Sequence, residues 1–162
     1  MGDEMRRVIA GLVAAIAVGG LGATVPQAQA VEIGHEGCTP GYWKNHTDNW
    51  EEAKATTLFS SKFSEGTSGY LVGLTFEQAL AGGGGPGVLG AEKILARAAT
   101  AAFLNAAHEG LGYPRRRYSN GLDGRPPLVA TVNAALASAD RDTMLALAAR
   151  LDADNNLGCP LN

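Results

Sequence analysis

The chain has 162 residues, a length that makes one domain. Hydrophobic residues make up 46% and charged residues 18%, a balance that supports a packed core and argues against wholesale disorder. The formal net charge of −3 argues against a nucleic-acid partner, which requires clustered cations to neutralise phosphates.

The first thirty residues read as a signal peptide. Arg6 and Arg7 form a positive n-region, Val8 to Gly22 an apolar h-region, and Ala28-Gln29-Ala30 an A-x-A cleavage site behind the helix-breaking Pro26. Met5, directly before the arginine pair, competes with Met1 as the translation start. The apolar run is too short and glycine-rich for a comfortable span of about 20 residues, so no membrane span is expected after processing. Removing 30 residues of 162 leaves a secreted domain of 132, from position 31 to 162. Arginine outnumbers lysine and alanine is abundant, a usage we read as bacterial. The mature chain holds two cysteines in an oxidising compartment, so Cys38 is expected to pair with Cys159. Closing a loop of roughly 100 residues removes about 4.7 kcal/mol of unfolded-state entropy in the chain model.

Val31 to Gly37 reads as a short mobile lead-in. Thr39 is placed to cap a helix with Pro40 at its first position, and Tyr42, Trp43 and His46 follow at helical spacing. A second start falls at Thr47 or Asp48, with Glu51 in capping-box position and Trp50 on that helix. Ala55 to Tyr70 is expected to be an irregular loop pinned by Leu58, Phe59 and Phe63. Thr75-Phe76-Glu77-Gln78 is a capping box, stapled by Leu74 and Ala79, on a short helix that ends at Gly82. The glycine run from Gly82 to Gly87 reads as a flexible hinge. It is no phosphate loop, because Lys93 is followed by Ile94 and no strand precedes it.

Val88 to His108 is the longest helical pattern. Its alanines let neighbouring helices approach closely, which predicts that it lies at the centre of the domain. Leu111 to Pro127 is a long loop carrying Tyr113-Pro114-Arg115-Arg116-Arg117-Tyr118 and the turn signals Asn120-Gly121 and Asp123-Gly124. Pro127 opens a helix with Leu128, Val129, Val132, Ala135 and Leu136 in period. Ser138 or Asp140 caps the last helix, whose inward stripe is Met144, Leu147, Ala148 and Leu151. A terminal turn from Asp152 onward brings Cys159 back to Cys38. No segment alternates with period two. The expected class is all-α: a compact bundle of four to five unequal helices, closed by one disulfide, with long irregular loops.

The stretch Cys38-Thr39-Pro40-Gly41-Tyr42-Trp43-Lys44-Asn45-His46, followed by Trp50, resembles the mature N-terminus of a group of secreted bacterial proteins. Its pattern there is Cys-x-x-Gly-Tyr/Phe-Trp-Lys-x-His, matched here by Cys38, Gly41, Tyr42, Trp43, Lys44 and His46. The likeness extends less sharply through Ala98 to His108 and the Asn155 to Pro160 ending. It implies secretion and a helical domain. No activity is assigned to that group, so it carries over no catalytic residue.

Several constellations invite chemistry. His35, His46 and His108 suggest zinc or copper, but they lack ligand spacing, and His46 and His108 sit where a helix C-terminus favours an imidazolium. Cys38 with His46 would form a nucleophile and base, against which stands the second cysteine of an exported chain. No G-x-S-x-G elbow supports a serine nucleophile. Asp152 to Gly158 resembles the start of a calcium loop but has leucine at the sixth position and no twelfth. Tyr42, Trp43 and Trp50 read as core anchors before they read as a stacking platform. The best surface candidate is the loop of Tyr113, Arg115, Arg116, Arg117 and Tyr118, which would grip carboxylate, sulfate or phosphate. The expected function is a secreted, non-enzymatic helical module that binds a partner, an anionic polymer or another surface protein, with no cofactor and no metal. The alternative is a small extracellular enzyme, a hydrolase, with or without metal assistance.

Overall fold

Local capping starts most of the helices. In this computed structural model, which describes residues 33–118 and 124–161, helix α1 spans Pro40–Asn45 and begins where the Thr39 hydroxyl accepts the Tyr42 N–H at 3.1 Å. Helix α2, Phe76–Ala81, carries both halves of the capping box. The Gln78 N–H donates to the Thr75 hydroxyl at 3.2 Å and the Thr75 N–H to Gln78 Oε1 at 2.9 Å. Helix α3 runs Gly87–Ala107, α4 Leu128–Ala137 and α5 Arg141–Asn155. Asp140, not Ser138, caps α5, its carboxylate accepting the Thr143 N–H at 2.8 Å. The expected signal peptide and the Asn120-Gly121 turn lie outside the described residues.

The chain is all-α, as its periodicities predict: five α-helices, with isolated bridges but no strand among the described residues. Helix α3 packs against each of the other four and buries nearly all its alanines together with Leu95, Phe103 and Leu104. Small side chains let α5 lie along it, presenting the predicted stripe of Met144, Leu147, Ala148 and Leu151. Phe59, Phe63 and Phe76 gather near Phe103. The Phe63 and Phe76 rings meet its ring edge-on at 5.8 and 5.5 Å, an arrangement favoured by the aromatic quadrupole.

Four expectations need correction. The start at Thr47 yields only a three-residue 3₁₀ turn, Thr47–Asn49, with no side-chain cap, and Trp50 follows it in extended backbone. The Glu51 carboxylate is drawn elsewhere, as described below. Leu58 does not pin its loop, being 44% exposed; its backbone pairs with Thr75 instead. The glycine run is not a loose hinge. Gly85 lies against Gly90, where a Cβ would collide with the Gly85 carbonyl, and Arg141 Nη1 donates to the carbonyls of Gly85 and Gly87 at 3.2 and 2.6 Å. The lead-in is likewise held from Gly34 onward, its N–H donating to the Gly112 carbonyl at 2.6 Å.

The two ends of the domain meet as expected. Cys38 and Cys159 form a disulfide with Cα atoms 4.5 Å apart, and the Gly37 N–H donates to the Gly158 carbonyl at 2.9 Å beside it. Gly37 crosses so close to α5 that any Cβ there would strike the Asp154 carbonyl, so the crossing requires glycine. Among the described residues no helix is long and apolar enough to cross a membrane.

Candidate functional site

Most of the chemistry in the Cys38 to His46 stretch is spent inside the protein. Trp43 is fully buried, and its indole N–H donates to Asn105 Oδ1 at 2.9 Å. The same oxygen accepts the Cys38 N–H at 2.8 Å, while Asn105 Nδ2 donates to the Cys38 carbonyl and to Asn155 Oδ1, each at 2.9 Å. Asn155 in turn donates to the Ala98 carbonyl at 3.1 Å and accepts the Tyr113 hydroxyl at 2.8 Å. Buried polar groups are tolerated when their hydrogen bonds are made, and here two asparagines satisfy each other, the cysteine backbone, a tryptophan and a tyrosine. Burial pushes the Tyr113 hydroxyl far above its ordinary value, with the Asp154 carboxylate adding to the effect.

The outward residues of α1 are fewer. Tyr42 donates its hydroxyl to the Leu161 carbonyl at 2.9 Å and accepts from Asn49 at 2.7 Å. His46 is exposed and stacks on the Tyr42 ring at 4.3 Å, while Lys44 points to solvent. Trp50 donates to the Trp43 carbonyl at 2.9 Å. His35 is exposed in the lead-in, and no contact joins it to the other histidines. Cys38 is locked in the disulfide and is no nucleophile in this state. The Asp152 to Gly158 stretch forms no calcium loop, since α5 continues to Asn155, which is buried. No group of three or more metal-binding side chains occurs among the described residues.

The arginine loop is divided by its partners. Tyr113, expected at the surface, is 0% exposed. Arg115 Nε donates to Asp154 at 2.6 Å, which ties the loop to the end of α5. Arg117 pairs with Glu52 through both terminal nitrogens, and its guanidinium lies 5.8 Å from the Phe103 ring centre and 5.9 Å from that of Tyr118. Arg116 is half-buried, its backbone paired across to Pro126 and Leu128. Tyr118 alone presents a large ring, 53% exposed. The surface element is therefore a guanidinium paired with a carboxylate and near two rings, rather than three solvated cations.

Beside it, at the C-terminal end of α3, a cleft of about 360 Å³ is floored by Ala106, Ala107 and Leu111 and edged by Ile33, Glu52, Glu109, Arg117 and Arg125. His108 caps α3 at its inner wall. The His108 Nδ1 accepts the Gly110 N–H at 3.0 Å, its Nε2 stands 3.6 Å from Glu51, and its ring lies 6.0 Å from that of Trp43. Nδ1 is taken by the Gly110 N–H, while Nε2 faces Glu51 beyond hydrogen-bond reach. Glu51 also accepts the Glu109 N–H at 2.8 Å, which fixes the turn after α3.

Sequence reasoning missed the partners that organise this end: Glu51, Glu52, Glu109 and Arg125. Each lies in an irregular stretch with its partner in a distant segment, so local spacing does not reveal the pairing, and the capping-box spacing of Glu51 pointed to a different role. It also missed Glu92, fully buried on α3. The Glu92 carboxylate accepts the N–H groups of Thr67 and Ser68 at 2.8 and 3.1 Å and is bonded by both hydroxyls. Those hydrogen bonds outweigh the opposing effect of burial and hold its pKa below the ordinary glutamate value. Compared with known proteins, the chain matches no family model, no curated protein and no solved structure.

Proposed function

We propose that the protein is an exported, disulfide-closed helical module that recognises an anionic polymer through the edge formed by Arg117 and Tyr118, and that it performs no catalysis. Its likeness to the secreted bacterial group at Cys38 to His46 and its A-x-A site support export. The observation that carries the binding reading is the Arg117–Tyr118 edge itself. An arginine already oriented by Glu52 and by two rings loses little freedom on engaging an acidic group, and the exposed tyrosine offers a flat face for a sugar ring. The disulfide at Cys38, which removes a thiol nucleophile, favours this reading over the extracellular-hydrolase alternative.

Retention of the mature protein on heparin or an acidic glycan column at low salt tests it, since screening is weakest there. Tyr118→Ala and Arg117→Ala should each elute earlier with helicity unchanged. Arg115→Ala, which loses an internal pair with Asp154, should lower stability and leave elution in place. Equal elution of all three variants and the parent would contradict the proposal.

A further inference from the structure

We propose that His108 is a proton-operated latch on the turn that follows α3: neutral, it holds Gly110, and protonated, it releases Gly110 and closes on Glu51. Neither export nor the polymer is needed, since every contact involved lies within the described fold. The first observation is that the two ring nitrogens face groups of opposite kind. Nδ1 accepts the Gly110 N–H at 3.0 Å, so the ring in this arrangement is neutral and carries its proton on Nε2. Nε2 stands 3.6 Å from Glu51 Oε1, inside ion-pair distance and outside hydrogen-bond reach. A proton added at Nδ1 turns that acceptor into a donor facing another donor, and the Gly110 bond is lost. The same proton makes the ring a cation beside a carboxylate, at the end of a 21-residue helix whose last turn has no basic side chain. Each protonation state therefore has its own partner. Imidazole is the side chain whose ordinary titration falls between about pH 5 and 8. The His108 side chain is 15% exposed, which leaves it open to solvent protons.

The second observation is what the turn carries. The Glu109 N–H donates to Glu51 Oε2 at 2.8 Å, which keeps that carboxylate in place for Nε2 to approach. Two residues past Gly110, Gly112 donates to Glu36 Oε2 and its carbonyl accepts the Gly34 N–H, each at 2.6 Å. A Cβ on Gly110 would lie 3.1 Å from the His108 ring and 3.6 Å from the Leu161 side chain, so the C-terminal tail rests on the same turn. Release of Gly110 therefore loosens the seat of the lead-in. Charges reach the ring from several sides. Glu51 and Glu52 come from the segment after the 3₁₀ turn, Glu109 from the ring's own turn, Arg117 and Arg125 from the loop before α4, and Glu36 stands behind Gly112. Helix α1 contributes only the uncharged Trp43 ring, 6.0 Å away.

The test follows the isotope-labelled, disulfide-bonded protein by nuclear magnetic resonance from about pH 8 to about pH 5. The Gly110 amide proton should move upfield with the same midpoint as the His108 ring carbons. Across that step the exchange protection of the Gly34 amide, referred to an unstructured peptide at each pH, should fall about fivefold, the weight of one ordinary hydrogen bond. His108→Asn offers an amide oxygen in place of Nδ1, suited to a backbone N–H two residues on, and it does not titrate. In that variant Gly110 should stay bonded and the step should vanish. A Gly110 amide that stays still while the ring titrates overturns the latch, as does a ring that remains neutral until the protein unfolds. A step at Gly110 with no loss of protection at Gly34 overturns its link to the lead-in. A step of the parent's size in His108→Asn would assign it to the surrounding carboxylates and overturn the latch too.

Discussion

Asn105 decides more of this structure than any other side chain. It is a polar residue in the last turn of an alanine-rich helix, and its four hydrogen bonds fasten α1, the disulfide segment and α5 to α3. Asn105→Ala would leave the Trp43 indole, both backbone groups of Cys38 and part of Asn155 buried without partners. An unsatisfied buried group costs about 1–3 kcal/mol. The variant should therefore lose at least about 3 kcal/mol in urea unfolding, with near-ultraviolet tryptophan dichroism reduced. Trp43→Phe, which removes one of the two donors to Asn105 Oδ1 and trims the ring, should lose less. A loss below about 1 kcal/mol for Asn105→Ala would mean that the network is not what seats α1.

Among the elements, the segment between the 3₁₀ turn at Phe59–Ser61 and α2 has no regular structure of its own. It is held by contacts to α3 and α4 instead. Glu92 binds its Thr67-Ser68 turn, Lys93 lies 4.6 Å from the Tyr70 ring centre, and Asn133 on α4 accepts the Ser64 N–H at 2.8 Å. The pKa of Glu92 is lower in the folded chain than in the unfolded one, so its stabilisation is complete above the ordinary glutamate value of about 4.3 and is lost as pH falls through the depressed folded value. Glu92→Gln places amide hydrogens among donors. At pH 7 it should cost about 1–3 kcal/mol and raise amide exchange in residues 66–72. Its deficit relative to the parent should shrink in strong acid. A deficit that stays constant to pH 2 would show that the carboxylate's charge is not what holds the segment.

At the scale of the molecule, what was legible in the sequence was what local chemistry controls. Thr39, Thr75 and Asp140 announce helix starts because a cap needs only a hydroxyl or carboxylate and the next turn. The stripes of α4 and α5 follow from period alone, and the pairing of Cys38 with Cys159 follows from there being only two cysteines. The rest was hidden because it is long-range. Nothing beside Asn105 or Asn155 distinguishes a buried amide from an exposed one. Tyr113, next to a proline and three arginines, reads as surface until Asn155 is seen to take its hydroxyl. The arginine loop looked like a cluster of cations because Glu52 and Asp154 are 65 and 39 positions from their partners.

The helical fold is closed by the Cys38–Cys159 disulfide over the network around Asn105, which is expected to persist without the link. The Gly158 to Leu161 tail adjoins the link and is held through the Gly37 bridge and the Tyr42–Leu161 bond. The core from α2 to α5 is expected to survive reduction. The direct measurement is thermal unfolding of the mature protein with and without reductant, after non-reducing peptide mapping. The account predicts an intramolecular Cys38–Cys159 peptide, and a reduced protein that still unfolds cooperatively with about 2–5 kcal/mol less stability. Two free thiols, a Cys38–Cys38 dimer, or a midpoint unmoved by reduction would contradict it.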